Sequence, residues 1–156
     1  MNILYSNDVY SFGIAEQEDS EFVFNILAKE IVGRTGTASD RRTKKMDLEA
    51  RIRKGIRESS VVLLKKGDTF IASAIFSGSV KIYVVHLVVD KFRRNTSDVH
   101  IFLHYILNGL YKDKNIYSIN IPDNIKSLFE FNDNEYKIKD SISKAANRRY
   151  GSSWVT

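Results

Sequence analysis

The stretch from Val88 to Leu103 carries the most chemistry for its length. An apolar run ends at Val89, a basic turn over Lys91 to Ser97 holds Arg93 and Arg94, and a helix pattern follows. Such a junction binds phosphates, because unpaired backbone N–H groups and the positive end of the helix dipole face an incoming anion. Arg93 and Arg94 add charge; with no anion they are solvated loop residues, and Thr96 or Ser97 is simply the helix cap. His86, inside the apolar run, can take a proton near neutral pH, or it is a histidine satisfied within the core or at a bulge. His100 and His104 stand four apart and can share a helix face, but no third ligand has a recognisable spacing, so no metal site is expected and both are read as helix-surface residues. Further basic residues lie in a loop over 34–45 (Arg34, Arg41, Arg42, Lys44, Lys45) and in a tail over 140–156 (Lys144, Arg148, Arg149). With Tyr150 and Trp154 as stacking faces they offer nucleic-acid contacts, yet the charge is scattered and no nucleic-acid module pattern accompanies it. No Ser-His-Asp order, Gly-x-Ser-x-Gly, Walker loop or zinc spacing occurs. The absence of cysteine excludes a disulfide framework, thiolate metal sites and a cysteine nucleophile.

These residues need elements to position them. A chain of 156 residues with 43% hydrophobic and 12% aromatic residues is expected to form one domain over 1–156, with a single core. The apolar run from Ile82 to Val89 is far too short to span a membrane, and acidic residues arrive too early for a secretory signal, so a cytoplasmic protein is expected. The net charge of +5 suits an anionic ligand, a nucleic acid or an acidic partner and selects none of them.

Val9 to Ala15 predicts a first strand, followed by a helix that Asp19 and Ser20 can cap and Gly33 can end. The polar stretch from Arg34 to Lys45 predicts a mobile loop, and Asp47 can cap a second helix with Leu48, Ile52 and Ile56 on its apolar stripe. Val61 to Lys65 and Thr69 to Phe76 flank Lys66-Gly67-Asp68 as a hairpin, and Val80 to Val89 predicts a central strand buried on both faces. A helix from about Asp98 to Gly109, a strand over Ile116 to Ile121, a helix from Pro122 through Phe131 and a strand over Glu135 to Lys139 complete the order β-α-α-β-β-β-α-β-α-β. That order is an α/β mixed sheet flanked by helices.

The same order, with Ile14-Ala15-Glu16-Gln17-Glu18-Asp19 before the first helix, Val88-Val89-Asp90-Lys91-Phe92-Arg93 before the third and Asp123-Asn124 at the last, resembles the GNAT acyltransferases over about residues 9 to 139. The resemblance implies a GNAT-like central mixed sheet. It also implies an acetyl-CoA site in which backbone groups around Val88, Val89 and Asp90 hold the pantetheine and Arg93, Arg94, Thr96 and Ser97 hold the phosphates. The strand bearing His86 faces the acceptor amine in that family, which makes His86 the candidate base.

Two departures stand out. The family's phosphate loop, Arg/Gln-x-x-Gly-x-Gly/Ala, corresponds here to Arg93-Arg94-Asn95-Thr96-Ser97-Asp98, which keeps the arginine and loses both glycines. Asp98 is expected to repel a pyrophosphate while favouring a helix start. The tyrosine that many members use as an acid corresponds to a segment with Phe129 and Phe131, neither of which has a hydroxyl, and Tyr136 falls past that helix.

The eroded loop therefore favours a GNAT-fold protein that binds no cofactor and serves as a structural or interaction module of a larger assembly. Its protein partner, or a second copy of the chain, is engaged through the tail, where Trp154 is expected to be buried. Short Lys/Asn/Ile-rich chains of this kind resemble GNAT-like proteins encoded by bacteriophages, some of them virion-associated, which makes a virion-type assembly a further expectation. The alternative is an acetyl-CoA-dependent N-acetyltransferase acting on a primary amine.

Overall fold

The computed structural model describes residues 1–31, 36–90, 96–111, 116–118, 127, 129–132 and 135–138. The chain opens with a hairpin of β1 (Asn2–Ser6) and β2 (Tyr10–Ile14), whose turn is held by Asn7: its Oδ1 accepts from the backbone N–H groups of Val9 and Tyr10 at 2.8 and 2.7 Å. The expected strand over Val9 to Ala15 is β2. β1 precedes it without a legible pattern, because Tyr5 is its one buried side chain.

Helix α1 (Ser20–Ile31) follows a 3-10 turn at Gln17–Asp19, where the Glu16 N–H donates to the Asp19 carboxylate at 2.8 Å. Helix α2 (Ala38–Arg57) corrects the expectation of a loop over 34–45: residues 38–45 are its first turns, and Thr37 rather than Asp47 is its cap. Thr37 Oγ1 accepts from the Asp40 N–H at 3.0 Å, and the Asp40 carboxylate accepts from the Thr37 N–H at 3.1 Å. That backbone hydrogen bond holds Asp40 below the usual carboxylate range. The start of α2 is hidden in the sequence because it is almost wholly exposed and carries no apolar stripe. The stripe begins only at Leu48 and Ile52, which are buried, and continues at half-buried Ile56.

β3 (Val61–Lys66) and β4 (Thr69–Ser77) form the expected hairpin, with Gly67 at φ 62° in its turn. β5 (Ile82–Val89) follows, then α3 (Thr96–Tyr105), which runs into a π-type turn at Ile106–Leu110. The last described elements are β6 (Ile116–Ser118), β7 (Phe129–Asn132) and β8 (Glu135–Ile138). Three expectations need correction. Val80 is 94% exposed in the turn before β5. β5 is continuously buried on one face only, with Tyr83, Val85 and His86 half-buried. Phe129 to Phe131 do not end a helix; they form β7, an antiparallel partner of β8. The start proposed for that helix at Pro122, and the tail with Trp154, lie outside the described residues.

The sheet order is β1-β2-β3-β4-β5-β6-β8-β7, antiparallel except where β5 meets β6. One face packs against α1 and α2 through Val23, Leu27, Leu48, Ile52, Leu63 and Ile75. The other packs against α3 through Phe12, Leu64, Phe76, Val84, Phe102 and Tyr105. No helix among the described residues is long and apolar enough to cross a membrane.

Two contacts fix the helices on this sheet. In α2, Gly55 lets the helix approach β3, since a Cβ there would lie 2.6 Å from Val61 Cγ2, a methyl of a fully buried residue. In the first turn of α3, Asp98 is 1% exposed; its Oδ1 accepts from the Tyr10 hydroxyl of β2 and from Lys66 Nζ, at the end of β3, at 3.2 Å. Lys66 also stands over the Tyr10 ring, 5.7 Å from its centroid.

Gly55→Ala gains about 1 kcal/mol of helix propensity but forces α2 off Val61, so a net loss of about 1–3 kcal/mol is expected in equilibrium urea unfolding. Asp98→Ala is expected to cost about 2–4 kcal/mol, because it removes the buried acceptor of the Tyr10 and Lys66 hydrogen bonds as well as charge from the helix start. A cost below about 1 kcal/mol would mean that the carboxylate serves the helix dipole alone.

Candidate functional site

β5 and β6 run parallel over two rungs, Ile82 with Ile116 and Tyr83 with Tyr117. On its other edge β6 pairs antiparallel with β8, Tyr117 opposite Lys137 and Ser118 opposite Tyr136. β5 continues from Val84 to Val89 with β4 along one edge and, among the described residues, no strand along the other. Among the described residues, the sheet therefore opens beside β5 where the strand leads toward the start of α3.

The ladder between β4 and β5 is interrupted at the same place. Ile75 pairs with His86 and Phe76 with Val84, which leaves Val85 as an extra residue, a β-bulge. A bulge bends its strand and re-aims the neighbouring side chains. Val84 faces the α3 side with Phe76, while Val85 packs on the α1/α2 side. His86, opposite Ile75, also lies on the α1/α2 side, half-buried. Burial lowers the His86 pKa below 6.5, and the Arg51 guanidinium of α2 lowers it further. The imidazole is thus neutral near pH 7, the form that accepts a proton.

Val88 and Val89 are buried at the far end of β5. Ser97 is half-buried in the first turn of α3, and Thr96 is its first residue. Arg93 and Arg94 lie outside the described residues. Asp98, the carboxylate expected to repel an anion, is buried, with Lys66 Nζ 3.2 Å from its Oδ1. His104 is not a surface residue either; it is 1% exposed, and the Asn108 amide donates to its Nδ1 at 3.0 Å. His100 is half-buried, and no group of three or more metal-ligating side chains occurs among the described residues.

Sequence reasoning misses two features here. The bulge at Val85 has no sequence signal, since an extra valine in an apolar run looks like strand. Tyr83 and Tyr117 are separated by 34 positions in sequence and become neighbours only through the parallel pairing, with ring centroids 6.1 Å apart.

No protein-family model matches this chain, and no curated protein matches its sequence. Solved structures do match its fold. Apo FdhC, a nucleotide-linked sugar GNAT, is 10% identical over 96% of this chain and 97% of its own, with a TM-score of 0.60. Naa50 of Arabidopsis thaliana, in complex with the bisubstrate analogue CoA-Ac-MVNAL, is 11% identical over 83% of this chain and 96% of its own, with a TM-score of 0.58. The chain also spans 45% of the length of a protein from Pyrococcus horikoshii, at 15% identity over 81% of this chain and a TM-score of 0.56. At such identities the likeness concerns architecture, and in architecture this chain has the fold of the GNAT acetyltransferases.

Proposed function

We propose that the chain is an acetyl-CoA-dependent N-acetyltransferase that acts on a primary amine, with His86 as its general base. The observation that carries this reading is the opening between β5 and β6 beside a bulged, half-buried histidine. The edge of β5 from Val84 onward offers backbone N–H and C=O groups of the kind that a pantetheine amide can pair with. Arg93 and Arg94, with the backbone around the start of α3, would hold the phosphates. Acetyl-CoA, when bound, supplies an acetyl group activated as a thioester. His86 takes the proton that an ammonium must lose before its nitrogen can attack, and its neutral form at pH 7 suits that task. Phe129 is buried and Phe131 exposed in β7, and neither carries a hydroxyl, so neither acts as an acid.

The missing glycines in Arg93-Arg94-Asn95-Thr96-Ser97-Asp98 favour a second reading, a non-catalytic module of the same fold that has lost the cofactor. The inward turn of Asp98 weakens it, because the helix start then presents no uncompensated negative charge to a pyrophosphate.

Titration with acetyl-CoA separates the two. Saturable binding by calorimetry and a raised melting temperature are expected. Arg93→Ala should weaken binding by about 1.5–3 kcal/mol, and His86→Ala should slow turnover by about 10²–10⁴ with acetyl-CoA affinity unchanged. No binding to the wild type would leave the non-catalytic module.

His86 also gives a pH dependence that needs no substrate. Its folded pKa lies below the unfolded 6.5, so above that pH both states are neutral and it contributes nothing. As pH falls below 6.5 the unfolded chain takes up the proton more readily, and stability is lost until the folded pKa is passed. His86→Gln is expected to flatten the fall in melting temperature between about pH 7 and pH 5. An unchanged slope would show that the loss comes from other groups.

A further inference from the structure

The second rung between β5 and β6 sets Tyr83 opposite Tyr117. Their strand neighbours Ile82, Val84 and Ile116 are buried toward α3, so by the alternation of a strand both phenol rings project from the opposite face, the one that His86 occupies. The rings are half-buried, tilted 42° to each other, and Lys81 Nζ stands over both, 4.3 Å from the Tyr117 centroid and 5.6 Å from that of Tyr83. Lys81 itself is exposed. The backbone before it is closed tightly, since Gly78 adopts φ +99° and a Cβ there would lie 2.1 Å from the Lys81 carbonyl oxygen. The main chain of Lys81 is thus fixed just before the two paired rungs, beside the two rings.

An electron-rich pair of ring faces attracts an ammonium group. The row continues across the sheet with Lys137 opposite Tyr117 and Glu130 opposite Lys137, so the second cation on this face has an acidic neighbour across the strand. We propose that Tyr83 and Tyr117 form a seat for a primary alkylammonium group and that Lys81 is its resident occupant, a tethered amine standing where an external amine is received. The seat stands on the ring geometry alone; that the external amine is an acyl acceptor rests on the acetyltransferase reading. A tethered occupant has a high effective concentration and excludes a weak competitor until its side chain moves away. Lys81 then sets how strongly an amine must bind to be accepted, which makes the seat a filter on the acceptor.

The test uses n-butylammonium as the probe, followed through the tyrosine ring resonances by NMR. Lys81→Ala is expected to bind it at least about tenfold more tightly than the wild type does. Adding Tyr117→Leu to Lys81→Ala should abolish that gain, and Tyr83→Leu in the same background serves if the Tyr117 variant does not fold. Equal affinity in wild type and Lys81→Ala, binding that survives loss of either ring, or a preference for n-butyrate over n-butylammonium would each overturn the proposal. With acetyl-CoA present, Lys81→Ala should lower the KM for n-butylamine. Tight n-butylammonium binding without any acetyl transfer would uphold the seat and defeat the acetyltransferase reading.

Discussion

A carboxylate excluded from water has to be met by donors, and in this chain that requirement ties together elements far apart in sequence. Asp98 sits in the first turn of α3, and its partners are the Tyr10 hydroxyl of β2 and the Lys66 ammonium at the end of β3. The helix cannot shift along the sheet without leaving a buried charge unmatched, a cost that exceeds that of any single apolar contact around it. The anchor holds the start of α3 near the end of β5, where the sheet opens.

The opening has its own physical origin. Among the described residues β5 and β6 share two rungs, and the bulge at Val85 bends β5 just beyond them. Among the described residues β5 from Val84 onward has a strand along one edge only. The bulge also places consecutive residues, Val85 and His86, on the α1/α2 side. Burial and the neighbouring Arg51 then keep the imidazole neutral. A similar logic applies to Tyr111, whose phenol is pushed up to about 12 by burial where its ring packs edge-on against Phe76, 5.0 Å between centroids. That group stays protonated and serves packing.

Much of this architecture was legible in the amino-acid sequence, because hydrophobic periodicity reports which face of an element is buried. The apolar run at Ile82 to Val89, the stripe at Leu48 and Ile52, the turn at Gly67 and the helix after Ser97 all have a local cause, and each determined its element without help from the rest of the chain. His86 was legible as a candidate base by residue type and by its place in the central strand. Where local cause and tertiary context parted, the pattern failed. The first turns of α2 are held by the reciprocal bonds of Thr37 and Asp40 and touch too little to show a stripe. Phe129 to Asn132 became a strand because β8 lay beside it, a partner that no local pattern of apolar residues announces. The direction of the Asp98 charge, the bulge at Val85 and the meeting of Tyr83 with Tyr117 were decided only by tertiary structure. Each depends on which distant residue lies opposite, and strand pairing and helix docking set that after the local pattern has done all it can.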